Sequence, residues 1–435
     1  MGRIRRTLAA ALALAAALAR GAAAGEPIVT LEDAETQALA THEAIRAAAA
    51  EQARARVAPW RAWSALGPNV SDLPSFTHVR EELAFPVPPL GPAVAFNPVV
   101  LAQDVLRNVL AVSQPLYTHQ FWGLRDIGRA EVRRSDEAYR AARADVRLAV
   151  AAAYYDLLRA RSLEEVAAQT QRLADTEIGH ARDRVRAGVA VEADTLRAQA
   201  ERARADARMA DASALVANAT DLLRRLAGLE GPFRVEEPPP PTLDLGAVEP
   251  FVASALARNP DLRAREAAVA AAEGEERRRR ALLYPTVGVG FTYQNLNHET
   301  FVDLNDFWSL ALRAEVPLFE GGGTRLLDVA EQRALVRELG ESLAAFRRDL
   351  EVDVRRAWTT VRTLEARRAA AEKEVALDSE TYRMLSARYE DGYATDLDVL
   401  TALTNLDTAR ATLTSVRYAW AVAVVQLERL AGTLE

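Results

Sequence analysis

From Val287 the apolar residues Val287, Val289, Phe291 and Tyr293 alternate with Gly288, Gly290, Thr292 and Gln294. Later Trp308, Leu310, Leu312, Ala314 and Val316 alternate with Ser309, Ala311, Arg313 and Glu315. This period of two predicts β-strands with one apolar face and one small or polar face. Strands of about 9–11 residues suit a tilted membrane crossing with lipid outside and water inside. The same alternation also suits a half-buried sheet in a soluble domain. Elsewhere the period is helical, as in Val146, Val150, Ala153 and Leu157, and again in Val354, Trp358, Val361 and Leu364. From about Phe121 to Gly188 the pattern predicts one helix of roughly 100 Å at 1.5 Å per residue. Such a helix is stable only when packed lengthwise on others. A rod-like coiled coil is the plainer form of the same pattern.

Proline parses the chain further. None occurs between Pro115 and Pro232 or after Pro317, and both blocks are rich in the strong helix formers Ala, Leu, Arg and Glu. Two stretches inside these blocks match: Arg184 to Leu196 and Arg388 to Leu400. Arg, Gly, Asp and Leu fall in register at 184/388, 188/392, 194/398 and 196/400. Gly188 and Gly392 interrupt helix formers and predict turns with positive φ at the tips of two helical hairpins. Glu192 and Asp396 suit the first turn of each returning helix, where the dipole favours negative charge.

The duplication extends beyond the tips. Ala38-Leu39-Ala40 with Ile45-Arg46-Ala47 matches Ala255-Leu256-Ala257 with Leu262-Arg263-Ala264. Pro68 matches Pro285, Pro115-Leu116-Tyr117 matches Pro317-Leu318-Phe319, and Leu226-Ala227-Gly228 matches Leu430-Ala431-Gly432. Each half reads as a short helix, a pair of strands, a very long helix, a Gly tip and a returning helix. The expected boundaries are a short helix over 25–66, strands with a long external loop over 67–117, and a long hairpin over 118–230. A Pro-rich linker over 231–250 follows, then a short helix over 251–283, strands over 284–319 and the second long hairpin over 320–435.

The first strand pair is the less regular. Leu106 to Ser113 reads as a strand, but Val70 to Leu83 carries Asp72, Pro74 and two adjacent Glu. The Pro68–Pro115 spacing is 47 residues against 32 for Pro285–Pro317, which places the excess in a loop around Pro86 to Pro98. Tyr284, Phe301, Phe307, Trp308 and Phe319 gather at strand ends, as an interfacial girdle requires. Four strands cannot close a barrel in one chain, and an open edge cannot face lipid with unpaired backbone groups. If the strands cross a membrane, several chains share one barrel.

Composition narrows the function classes. Arg3, Arg5 and Arg6, the apolar Leu8 to Leu18 and Ala22-Ala23-Ala24 predict a secretory signal peptide over 1–24. Its removal takes away four Arg and no acid, so the formal charge of −7 becomes −11. That balance argues against nucleic acid as a partner. There is no Cys, which excludes disulfides and thiolate chemistry. The five His, at 42, 78, 119, 180 and 298, have no ligand spacing, so no metal site is expected. Gly321-Gly322-Gly323-Thr324 lacks the Lys of a phosphate-binding loop. Tyr154 and Tyr155 read as packing residues, and Arg277 to Arg280 follow Glu273 and Glu276 as a paired, solvated face, with lipid phosphate as the other reading. No cofactor and no catalytic residue is expected.

In its duplicated order of helix, Pro-bounded strands, long helix and G-x-x-x-x-x-D-x-L tip, the chain resembles the TolC-like outer-membrane efflux protein family. The second copy reads P-L-F-E-G-G-G from Pro317 and G-Y-A-T-D-L-D-V-L from Gly392. The resemblance implies a mainly α fold with membrane β. Duplicated long α-helical hairpins would form a trimeric periplasmic α-barrel, joined to a shared 12-stranded outer-membrane β-barrel with four strands per chain. It implies a homotrimer in outer-membrane lipid of a Gram-negative bacterium. It also implies two partners, a periplasmic adaptor (membrane fusion) protein and an inner-membrane pump of RND or ABC type.

By position, Asp398 resembles the family's pore-facing acid, Tyr389 its gate tyrosine and Asp194 an acid of the first tip. Asp398 also reads as an ordinary solvated acid at a helix start. Ala394 stands where relatives can carry Arg, and Thr401 where they can carry a second acid. A lock would then be weaker, or rebuilt from Asp396, Glu390 or Asp391. The expected gate is Tyr389, Asp398, Asp194 and Asp396. Gly188, Val189, Ala190, Gly392, Tyr393 and Ala394 are the expected adaptor contacts. The implied function is a passive export duct of a tripartite efflux pump. The alternatives are the outer-membrane channel of a type I protein secretion system and a poreless periplasmic coiled-coil scaffold.

Overall fold

The computed structural model describes residues 27–81, 83–84, 99–101, 103–241, 245–296, 306–318 and 323–434. The expected signal peptide, the loop around Pro86 to Pro98, Phe301, Phe319, Gly321 and Gly322 lie outside the described residues. In chain order the elements are β1 (Ile28–Val29), α1 (Leu31–Thr41), α2 (Glu43–Ala55), α3 (Ala58–Ser64), β2 (Asn69–His78), β3 (Leu83–Ala84), β4 (Val99–Leu101) and β5 (Asp104–Tyr117). Then come α4 (Gln120–Arg186), α5 (Glu192–Ala227), β6 (Arg234–Val235), α6 (Glu249–Arg258) and α7 (Pro260–Ala281). The chain ends with β7 (Thr286–Leu296), β8 (Asp306–Glu315), α8 (Thr324–Glu390) and α9 (Asp396–Ala431). Its described residues divide into two compact units, one within 50–138 and 261–346, the other within 27–49, 139–260 and 347–434.

The first unit contains an antiparallel sheet in the order β2-β5-β7-β8. Its register pairs Val287 with Ala314, Val289 with Leu312, Phe291 with Leu310 and Tyr293 with Trp308. The alternating apolar residues of the two strands therefore share one face, because side chains on one face recur every second residue. The opposite face carries Gly288, Gly290, Thr292 and Gln294 beside Arg313, Ala311, Ser309 and Phe307. Trp308, Leu310 and Leu312 are all exposed in the single chain.

The irregular first strand is a strand despite Pro74. β2 pairs only with β5 in this sheet, so Pro74 sits at an edge where its missing N–H leaves no central ladder broken. Pro115 lies past the end of the β2 pairing, at a register shift between β5 and β7. At the helical end of the sheet, His119 stacks on Tyr284 at 4.5 Å and Trp63 meets Phe121 edge-on at 5.1 Å. Trp60, Trp63 and Trp122 are exposed there, so the first half supplies aromatic side chains that the second-half pattern alone did not predict.

The expected single short helix of each repeat is broken. α1 stops at His42, which is extended (φ −67°, ψ 135°), and α6 stops at Asn259 (φ −58°, ψ 122°). These positions match in the duplication. In the second half Pro260 forces the preceding residue out of the helical region. In the first half the His42 ring nitrogen Nδ1 accepts from the Ala44 N–H at 3.2 Å, a side-chain cap that replaces the proline.

The second unit holds the two long hairpins from residues 139 and 347 onward. Ala153, Ala160, Ala167, Ala174 and Ala181 recur every seventh residue on α4, and all are buried. Ala198, Ala205 and Ala212 do the same on α5. Small residues at strict heptad spacing let two helices approach closely along a supercoiled seam. The hairpin ends are fixed by matching side chains. Gln37 Nε2 donates to the Gly228 carbonyl at 2.9 Å, and Ser254 Oγ, its repeat equivalent, donates to the Ala431 carbonyl at 3.0 Å. Tyr154 is fully buried, and its hydroxyl lies within hydrogen-bonding distance of the carbonyls of Val29 (2.9 Å) and Glu236 (2.6 Å), tying both flanks of the parallel β1–β6 pair to α4. Burial pushes its phenol up to about 12. Among the described residues no helix is long and apolar enough to cross a membrane.

Candidate gate at the hairpin tips

Each tip follows from one glycine. Gly188 (φ +72°) and Gly392 (φ +81°) occupy the left-handed region that only glycine adopts without strain. The next N–H then reaches back five residues, Val189 to the Arg184 carbonyl at 3.0 Å and Tyr393 to the Arg388 carbonyl at 2.7 Å. The returning helices start differently. Thr395 caps α9: its side chain accepts from the Asp398 N–H at 3.3 Å, while the Asp398 carboxylate accepts from the Thr395 N–H at 2.9 Å and hydroxyl at 2.6 Å. At the equivalent position Val191 has no acceptor, so only its N–H binds the Asp194 carboxylate, at 3.3 Å.

These caps define where the expected gate acids stand. Asp398 is exposed, and the hydrogen bonds from Thr395 hold its carboxyl below the usual carboxylate range. Asp194 is partly covered and accepts from Arg197 at 3.1 Å. Asp396 is 7% exposed, and no described residue donates to its Oδ2. Burial, and then the nearby charge of Asp194, raise its pKa against the opposing effect of Arg197. Gly188, Val189, Gly392 and Tyr393 are exposed at the apices, with Val189 and Tyr393 among the most exposed apolar side chains, while Ala190 and Ala394 are half-buried.

Tyr389 is 3% exposed, and it is covered by the other hairpin. Arg184 of α4 lays its guanidinium over the Tyr389 ring, 4.5 Å from the centroid, and donates from Nη1 to the Tyr389 carbonyl at 2.6 Å. That carbonyl is in the last turn of α8, the negative end of the helix dipole, so a cation is favoured there. The arginine that binds the expected gate tyrosine thus comes from the first hairpin, whereas position 394 carries Ala. Of the substitutes expected for the lock, Asp396 lies in this cluster, while Glu390 reaches only as far as His180 Nε2, at 4.0 Å. Asp391 caps nothing and makes no described side-chain contact here.

Two polar rows run inward from this contact. On α4, Thr170, Glu177 and Arg184 stand seven residues apart. On the facing second hairpin Tyr382, Tyr389 and Asp396 do the same. Thr170 donates to Asp407 of α9 at 2.6 Å, and Tyr382 donates to Glu177 at 3.1 Å. Asp407 also accepts from Arg208 of α5 at 2.9 Å. Thr170, Glu177 and Tyr382 were not singled out from sequence, although three polar residues at heptad spacing inside an Ala-rich seam are a readable signal.

The family profile described as "Outer membrane efflux protein" matches residues 102–229 and 251–433. The chain is 25% identical over 348 residues to the outer membrane protein TolC of Vibrio cholerae, covering 76% of this chain and 77% of that protein. It is 25% identical over 349 residues to the alkaline protease secretion protein AprF of Pseudomonas aeruginosa, covering 76% and 70%. The solved structure of the outer membrane protein VceC from Vibrio cholerae superposes with a TM-score of 0.75 at 18% identity, over 92% of this chain and 96% of that one. With that profile spanning well over half of the residues, the chain belongs to the outer membrane efflux protein family, whose members are passive export channels of the outer membrane that extend into the periplasm.

Proposed function

We propose that this protein is the outer-membrane duct of a tripartite efflux pump, closed at its periplasmic end by its own second hairpin. The observation that carries this reading is a four-stranded sheet with one apolar face and two edges, β2 and β8, that no described strand covers. β2 and β8 run antiparallel to each other in the four-stranded order, so β2 of one copy continues the alternation after β8 of the next. Three copies give a closed barrel of twelve strands, and closure removes every edge from lipid. A periplasmic adaptor would grip the exposed apices at Gly188, Val189, Ala190, Gly392, Tyr393 and Ala394, and an inner-membrane pump would supply the energy.

Closure rests on Arg184 and Tyr389, because one guanidinium ties the end of the second hairpin's long helix to the first hairpin. Asp398, charged and exposed at the tip, would give a threefold ring favouring cations. In planar bilayers the wild-type trimer is expected to show a small, cation-selective conductance. Arg184→Ala should raise that conductance, and Asp398→Ala should weaken cation preference. A verified trimer in which Arg184→Ala conducts like wild type would overturn this gate. The similarity to an alkaline protease secretion protein favours type I protein secretion as the second reading. Deletion separates the two: sensitivity to dyes and detergents supports efflux, and loss of one secreted protein supports secretion.

A further inference from the structure

The polar rows inside the hairpin contact contain more acid than the lock requires. Glu177 is 2% exposed on α4. One of its oxygens accepts from the Tyr382 hydroxyl at 3.1 Å, and the other lies 4.0 Å from His180 Nδ1, an atom with no hydrogen-bond partner among the described residues. Asp396 begins α9 at 7% exposure with Oδ2 unpartnered, and the Tyr389 hydroxyl is buried and unpartnered as well. The charged and titratable groups facing this cluster are His180 and Arg184 from α4, Asp194 and Arg197 from α5, Tyr382, Tyr389 and Glu390 from α8, and Asp396 from α9. Neither buried carboxyl accepts a described hydrogen bond from an arginine. Arg184 is committed to Tyr389, and Arg197 to Asp194.

A carboxylate buried without a cation destabilises the arrangement that buries it, whereas the neutral acid does not and also gains a donor. We infer that Glu177 and Asp396 form a proton-operated latch: the closed contact between the hairpins takes up protons, and opening releases them. The inference rests on the proposed gate. Burial is the leading cause that raises both carboxyls. A carboxyl raised in the closed state and relaxed to its ordinary value in the open state favours closure when protonated. Closure is therefore strongest in acid and weakens as pH rises through the raised values. Asp398 behaves in the opposite way, since the hydrogen bonds from Thr395 lower its carboxyl and favour the ionised form. An export duct in contact with the periplasm and the exterior would then shut when its surroundings acidify. Adaptor engagement would have less to overcome at neutrality.

The test is conductance of the detergent-extracted trimer in a planar bilayer, titrated from neutrality toward the ordinary carboxylate range of about 4. Wild type is expected to lose conductance severalfold on acidification, reversibly. Glu177→Gln with Asp396→Asn, which keeps the shapes but removes the titration, should stay at the low acidic conductance at every pH. Each single variant should retain part of the response, and Asp398→Asn should retain all of its direction. Wild-type pH dependence in the double variant, no pH dependence in wild type, or a rise on acidification would each overturn the latch. Arg184→Ala measured alongside separates the two ideas. If it opens the pore at neutrality while wild type ignores pH, the gate stands and only the latch falls. If it never opens, the gate itself is wrong.

Discussion

The two hairpins descend from one duplicated pattern, yet they are covered very differently. α4 is buried along one face through its five-Ala heptad row, and Val150, Tyr154 and Leu157 add full burial beside it. α8 has the same 67-residue length, but only Val329, Gln332, Leu350, Val354, Val361, Ala371 and Tyr389 are buried, while Val352, Leu377 and Met384 are exposed. The tips diverge at matched positions too. Arg184 is engaged where Arg388 is exposed, and Asp396 is buried where Glu192 is exposed. In the proposed gate the first hairpin would be the wall and the second the moving part, its long helix being the less covered of the two. Duplication supplied two similar scaffolds, and a few side chains assigned the roles.

The largest expected difference sets core against exposed face. Leu427→Ala removes a fully buried side chain of α9 and should lower chain stability by about 2–5 kcal/mol, read as a drop in the helical melting temperature. Leu377→Ala on α8 should change it by no more than about 0.5 kcal/mol. A loss of equal size at Leu377 would show that another chain covers α8 there. Next in size are the tips. Gly392→Ala and Gly188→Ala each force a Cβ into left-handed backbone at a cost of about 1–2 kcal/mol. The substitution at 392 should also alter conductance, because its helix carries Tyr389, and matching electrical effects at both tips would break the division into wall and moving part. Smallest is the cap asymmetry: Thr395→Val should cost about 1 kcal/mol, and Val191→Thr should gain a similar amount, by supplying the acceptor that the first hairpin lacks.

Much of this arrangement was legible beforehand. Period-two alternation gave the strands and even their shared face, since Val289 and Leu312 end up side by side as their common parity demands. Absence of proline bounded the long helices, and glycine among helix formers marked the tips. The short-helix break at His42 was not legible, because no proline announces it and the cap depends on a ring nitrogen reaching a backbone N–H. The proposed gate was half legible. Tyr389 was singled out by position and Asp396 as a substitute acid, but Arg184 and Glu177 gain meaning only from residues some 205 positions away in the chain.

The sequence by itself determined the local periods, the duplication, the turn positions and the surface chemistry, because these depend on neighbours within a few residues. Tertiary structure decided which copy of each duplicated side chain would be buried. Arg184 and Arg388 follow the same local rules and differ only in what the fold places opposite them. The carboxyl of Asp396 is likewise raised by burial and by Asp194 across the tip. A carboxyl's affinity for its proton depends on the medium around it, and only packing in three dimensions creates that medium.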